Sequence, residues 1–223
     1  MANLVGTRGK FGVISANTPH PIGSVPKRLI DILFALSGIF LLAPLLIFCF
    51  VATALSSPGP VLFRHRRVGF NGKHFECLKF RTMVPDASER LQRLLDADPT
   101  AAAEWETSHK LRCDPRVTVI GALLRKSSLD ELPQLFNVLR GEMSIVGPRP
   151  VTEDELIRYA GAVSSYLTCR PGITGLWQVS GRSTTTYAER VEYDAFYAQN
   201  WSMALDAKIL IITIPALLSE GAY

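Results

Sequence analysis

The sequence predicts an α+β fold. It is a small, mainly helical domain on the cytoplasmic face with a short β-hairpin, anchored by an N-terminal re-entrant membrane helix and in-plane amphipathic helices. Three observations predict it. An uncharged run of 24 residues, Ile32 to Leu55, carries Pro44 at its centre. Two segments, VLFRHRRV (61–68) and KHFECLKF (73–80), flank Gly69-Phe70-Asn71-Gly72, and Asn-Gly between such segments signals a hairpin. Beyond them, short helical periods alternate with loops rich in Gly and Pro. The chain divides into an arm over 1–26, a membrane helix over 27–58 and a domain over 59–223.

Composition narrows the classes. With 223 residues, 48% of them hydrophobic, and a net charge of +4, the chain can bury a core and is not a disordered polymer. The four cysteines, Cys49, Cys77, Cys113 and Cys169, are far apart and form no C-x-x-C, so they read as reduced thiols on the cytoplasmic side and not as a disulfide framework.

The apolar run is long enough for a helix to cross a bilayer, which takes roughly 20 residues. It begins too late and runs too long for a signal peptide. Pro44 removes a helical hydrogen bond and predicts a kink. Lys27 and Arg28 precede the run, and Arg64, Arg66 and Arg67 follow it. Basic flanks favour the cytoplasmic side, and a helix bent at Pro44 returns both flanks to one face. Each arm is then about 12 residues, or about 18 Å, close to one leaflet. A spanning helix with a tolerated proline is the alternative.

The rest follows in order. Residues 1–26 read as a loose arm, and Ser57-Pro58-Gly59-Pro60 as the turn out of the membrane. Residues 85–110 read as polar helix interrupted near Pro99, Ser128 to Arg140 as helix, and Gly141 to Pro150 as loop. Residues 153–168 read as helix, Arg170 to Gly181 as an irregular stretch, and 187–200 as helix. The final apolar run, Ile209 to Leu218, contains Pro215 and is too short to span, so it is core or an in-plane helix.

Charge is patterned too. Val61 to Thr82 holds six Lys or Arg against one acid, Glu76. Next to a membrane segment this implies contact with anionic headgroups, which accounts for Arg64, Arg66 and Arg67 better than for Lys79 and Arg81. No helix-turn-helix, RNP-like or zinc motif supports a nucleic-acid partner.

The chemistry gathers around Ser128-Leu129-Asp130-Glu131. As S-x-x-E it has the form of a capping box. Arg125 and Lys126 lie upstream, and Gly147-Pro148-Arg149-Pro150 lies downstream. Two adjacent carboxylates at a helix N-terminus among cations are expected to stay ionised, because opposite charges and the helix dipole lower a carboxylate's pKa. An ionised Asp can attack phosphorus, and its neighbour can hold Mg²⁺ against a diphosphate. The four histidines show no ligand spacing.

Four segments, KFRTM (79–83), RKSSLDELPQLFNVLRGEMSIVGPRP (125–150), RPGITGLWQVSGR (170–182) and 193–223, resemble the bacterial sugar transferases, the monotopic phosphoglycosyl transferases. Within that family the chain looks most like the enzymes that prime exopolysaccharide synthesis with galactose 1-phosphate. The resemblance implies transfer of a sugar 1-phosphate from a UDP-sugar, UDP-galactose or UDP-glucose, to undecaprenyl phosphate, with release of UMP. It implies Asp130 as nucleophile, Glu131 beside it at a Mg²⁺ ion that both carboxylates face, and substrate contacts from Lys79, Arg81, Arg125 and Arg149. Arg182 and Gln178 are further substrate candidates, and Trp177 is either a sugar or uracil contact or core. Asp194 is either a second metal-side carboxylate or structural. The broken membrane helix of the family corresponds to Ala43-Pro44, with Ala where the family has Ser. The implied setting is the cytoplasmic face of the inner membrane, with a homodimer left open. A non-catalytic membrane scaffold and a polyprenyl-diphosphate phosphatase are the competing classes.

Overall fold

The computed structural model describes residues 19–108, 111, 113–181 and 185–218. The chain opens with two helices, α1 (Ser24–Leu41) and α2 (Ala43–Ser56), bent by 66° at Leu42. Pro44 explains the position of the break. It has no N–H to give the carbonyl of Phe40, and its ring crowds that carbonyl, so the first helix stops short of it and the second begins with Pro in its first turn. No single helix among the described residues is long and apolar enough to cross a membrane.

α1 carries a buried stripe at four-residue spacing, Lys27, Asp31 and Ala35. Its other faces leave Leu33, Phe34, Phe40 and Leu41 more than half exposed. The two cations that precede the apolar run are engaged within the fold. Lys27 donates to Asp206 at 2.6 Å, and Arg28 donates to the carbonyls of Val138 and Leu139. Those carbonyls end a helix that Gly141 terminates with φ 81°; Val138 also accepts from the Gly141 N–H, and Arg28 adds a second bond there and one to Leu139.

The hairpin is β1 (Leu62–Val68) and β2 (His74–Phe80), antiparallel from Leu62 opposite Phe80 to Val68 opposite His74. Asn71 takes φ 54° in the connection, a conformation Asn tolerates better than most residues. Next come α3 (Ala87–Ala97), α4 (Pro99–Ser108) and α5 (Val119–Lys126). A Cβ on Gly121 would lie 2.0 Å from the carbonyl oxygen of Thr82, so α5 packs against the strand exit at a distance only glycine permits. Gly121→Ala is therefore expected to cost about 2 kcal/mol of stability, read as a lowered thermal midpoint.

The element that carries Asp130 differs from expectation. Ser128 to Arg140 is not one helix. A 3-10 turn over Leu129–Glu131 leads through Pro133 to α6 (Gln134–Arg140). Ser128 sits at φ 56° and makes no side-chain cap, so the S-x-x-E pattern does not form a capping box. Real capping boxes occur at Thr152/Glu155 and Thr186/Glu189.

The expected loop over 141–150 contains β3 (Ser144–Val146), and the irregular stretch after Arg170 contains β4 (Gly172–Thr174), which pairs with it in parallel. The single helix expected over 153–168 is broken into α7 (Glu153–Ile157) and α8 (Val163–Leu167), because Ala160 adopts φ 44° between them. α9 (Leu176–Ser180), α10 (Tyr187–Gln199) and α11 (Met203–Leu218) complete the chain. On α11, Ile209 is buried while Ile211 and Ile214 are exposed.

Candidate active site

Three neighbourhoods meet at one cleft. β2 supplies Lys79, and the turn before α6 supplies Glu131. The segment after β3 supplies Arg149, brought beside β1 by a bridge between Val68 and Val151. Tyr166 reinforces that bridge by donating to the carbonyl of Val68 at 2.8 Å. Asn137 sets β2 against α6: its amide oxygen accepts from the N–H of Leu78, and its amide nitrogen donates to the carbonyl of Glu76 and to Glu142. The resulting cleft is small, about 20 Å³, and is lined by Arg67, Lys79, Glu131, Gln134, Arg149 and Gln178, among others.

Lys79 donates to Oε1 of Glu131 at 2.6 Å, with both side chains about a quarter exposed, at 27% and 25%. Glu131 is desolvated, which alone would raise its pKa. Lys79 first, then Arg149 and Arg67, outweigh that and hold the carboxyl below the usual range. Asp130 behaves in the opposite way. It is 8% exposed, and burial pushes it up to about 6, against the pull of Lys79 and Arg125 and with the help of Glu131. The expectation that both carboxylates are held down by cations is therefore corrected for Asp130. Desolvation exceeds the attraction, and a three-residue turn offers little helix dipole.

Chemically, the cleft offers the ionised Glu131 with cations to receive phosphate oxygens, and Asp130, buried beside Glu131, is not itself among the lining residues. A desolvated carboxylate is a stronger nucleophile than a hydrated one, and fixed cations stabilise the charge of a phosphoryl group in transfer.

The profile of the family described as bacterial sugar transferase matches residues 22–220. The chain belongs to that family. Among similar proteins, it is 52% identical over 205 residues to the exopolysaccharide production protein ExoY of Sinorhizobium fredii, covering 92% of this chain and 91% of that one. It is 48% identical over 198 residues to the undecaprenyl-phosphate galactose phosphotransferase of Salmonella typhimurium, covering 88% of this chain and 41% of that longer protein. It is 42% identical over 222 residues to the UDP-glucose:undecaprenyl-phosphate glucose-1-phosphate transferase of Caulobacter vibrioides, covering 92% and 78%. As a bacterial sugar transferase the protein is a transferase enzyme.

Within this sugar transferase the candidates from sequence divide. Lys79, Glu131, Arg149 and Gln178 share the cleft. Arg125 donates from Nε to the hydroxyl of Thr82 at 2.9 Å and acts on Asp130 through its charge. Arg81 is not brought in. Its guanidinium donates to the carbonyls of Ser57 and Pro60, at 2.6 Å each, and so clamps the turn that follows α2. Arg182 lies outside the described residues.

Arg67, expected at the headgroups, lines the cleft. It donates to Glu155 at 2.6 Å. Sequence missed it because its counter-charge is 88 residues away. Trp201 donates its indole N–H to Asp206, which is a packing role.

Asp194 is 1% exposed and accepts from the Tyr159 hydroxyl at 2.7 Å, so it is structural. Burial pushes it up to about 7, opposed by the Tyr159 hydrogen bond and by Arg190 and Arg149. The folded protein therefore keeps a proton there that the unfolded chain releases near pH 4. Stability is expected to fall as pH rises from about 4 to about 7, by up to about 4 kcal/mol from this group. Urea unfolding at pH 5 and pH 8 checks this, and Asp194→Asn is expected to flatten most of the difference.

Proposed function

We propose that this enzyme transfers a sugar 1-phosphate from UDP-galactose or UDP-glucose to undecaprenyl phosphate, giving an undecaprenyl-diphosphate sugar and UMP as the first step of exopolysaccharide synthesis. The observation that carries the reading is the buried Asp130 adjoining Glu131, with Lys79 and Arg149 in one cleft. The printed activities of the Salmonella and Caulobacter relatives supply the donor and acceptor classes.

An Asp130 carboxylate oxygen attacks the sugar-bearing phosphorus, the bond from that phosphorus to the bridging oxygen breaks, and UMP leaves with the bridging electrons. An oxygen of undecaprenyl phosphate then attacks the same phosphorus and returns the carboxylate. Lys79 and Arg149 hold the phosphate oxygens and orient the phosphorus toward Asp130. Splitting the reaction lets a soluble donor and a lipid acceptor use one site in turn.

Asp130 and Glu131 are the carboxylates for Mg²⁺. Among the described residues no group of three or more His, Cys, Asp or Glu gathers. Mg²⁺ needs only one or two carboxylates when phosphates and water complete its shell, so this pair fits an ion that arrives with a diphosphate. When bound, that ion supplies charge neutralisation on the transferring group.

The bent pair α1–α2 suits a re-entrant anchor that enters and leaves through the cytoplasmic face of the inner membrane. Its outward residues, Phe40 and Leu41 at the bend among them, are apolar and exposed. Val119 and Leu123 on α5, and Ile211 and Ile214 on α11, extend the apolar surface as in-plane helices would.

UMP release from a panel of UDP-sugars, with and without undecaprenyl phosphate, tests the reading. UMP formed from UDP-galactose or UDP-glucose supports it. Inorganic phosphate without UMP indicates a phosphatase, and no release at all indicates a scaffold.

A further inference from the structure

α9 and α10 hold Trp177 and Arg190, which the proposed steps do not use. The guanidinium carbon of Arg190 lies 5.0 Å from the ring centre of Trp177 and 5.3 Å from that of Tyr187. The guanidinium carbon of Arg149 lies 5.6 Å from the same Trp177 ring. Nε and Nη2 of Arg190 are buried and have no hydrogen-bond partner among the described residues, and the same holds for the indole Nε1 of Trp177. A buried donor without an acceptor costs stability, so this arrangement is not explained by folding alone. The rings of Trp177 and Tyr187 hold the cation beside them, and two of its N–H-bearing nitrogens are left for an acceptor. The nearby acids are Asp194, whose Oδ2 accepts from Tyr159 and whose buried Oδ1 makes no hydrogen bond to Arg190, and Glu155, paired with Arg67.

We infer that Arg190 and the Trp177 indole N–H form, next to Arg149, a second phosphate subsite that takes a phosphomonoester dianion while Arg149 serves the phosphate transferred at Asp130. The inference rests on the proposed function, which brings two such groups to the site: the phosphate of the departing nucleotide and the phosphate of the lipid acceptor. A guanidinium fork recognises either by paired N–H···O bonds. Filling the subsite gives Arg190 and Trp177 the acceptors they lack.

The test is binding to the full chain in detergent, measured calorimetrically without turnover. The probes are UMP, uridine and undecaprenyl phosphate, and the variants are Arg190→Gln, Arg190→Lys and Trp177→Phe. Arg190→Gln is expected to weaken one phosphate probe at least tenfold while uridine binding stays the same. Loss on UMP places the nucleotide phosphate there, loss on undecaprenyl phosphate places the acceptor there, and either supports the subsite. Arg190→Lys keeps the charge without the fork and is expected to lose about threefold to tenfold. Trp177→Phe keeps a ring, removes one donor and is expected to lose less than Arg190→Gln. If Arg190→Gln does not fold, the lysine variant decides. Unchanged affinity for both phosphate probes in the folded arginine variants overturns the inference, as does a loss on uridine equal to that on UMP. Failure of the wild-type enzyme to release UMP would instead count against the proposed function, because these titrations need no turnover.

Discussion

Asp130→Asn is expected to lower UMP release by at least about 10⁴-fold while leaving the protein folded and its cleft intact. The reaction has one carboxylate oxygen to form the bond to phosphorus, and an amide cannot replace it. The same substitution removes a buried acid whose pKa burial lifts to about 6. Ionising that acid in the fold costs about 3 kcal/mol relative to the unfolded chain, so the amide is expected to raise thermal stability above pH 6. Loss of turnover with gain of stability separates a reacting group from a structural one. UMP release within tenfold of wild type would remove Asp130 from the mechanism. Stability that falls at pH 8 would contradict the account of its burial.

Lys27→Met is expected to destabilise the protein by about 3 kcal/mol. Lys27 and Asp206 form an ion pair at 2.6 Å, with side chains only 9% and 12% exposed. Asp206 also accepts from the Tyr197 hydroxyl at 2.7 Å and from the Trp201 indole at 3.1 Å. Without the lysine, a carboxylate stays buried with neutral donors alone, and breaking one side of such a pair costs more than removing both. The double variant Lys27→Met/Asp206→Asn is therefore expected to recover most of the loss in a urea unfolding series. A double variant no more stable than the single one would show that the cost is lost packing at Lys27. The pair matters for function because it fastens the start of the bent helices to α11, and so fixes the apolar surface relative to the cleft.

What the sequence disclosed depended on how local its signal was. The hairpin was legible because two short segments and Asn-Gly lie within 20 residues. The bend was legible because one proline in an uncharged run has one physical consequence. Asp130, Glu131, Lys79 and Arg149 were singled out as residues, but their convergence depends on a bridge from Val68 to Val151 and on Asn137 reaching β2 across 59 positions.

Other features depended on competition that a linear reading does not weigh. Within one basic stretch, the sequence assigned Arg67 to headgroups and Arg81 to substrate, and the structure places them the other way round relative to the cleft. Arg67 faces the cleft, and Arg81 is consumed by the carbonyls of Ser57 and Pro60. Neighbouring cations suggested a low pKa for Asp130, whereas burial decides it. Ser128 fitted a cap in sequence but takes a left-handed conformation ahead of a 3-10 turn. The strands β3 and β4, three residues each, are too short to show a period.

The central claim is that Asp130 bonds covalently to the sugar-bearing phosphorus before the lipid takes part. Intact-mass analysis of the detergent-solubilised enzyme, mixed with its UDP-sugar in the absence of any polyprenyl phosphate, tests this most directly. The account predicts one added hexose phosphate per chain, located on the peptide that contains Asp130, together with one equivalent of UMP. An unmodified chain that releases UMP only once undecaprenyl phosphate is added, or an adduct carried on a different residue, would contradict it.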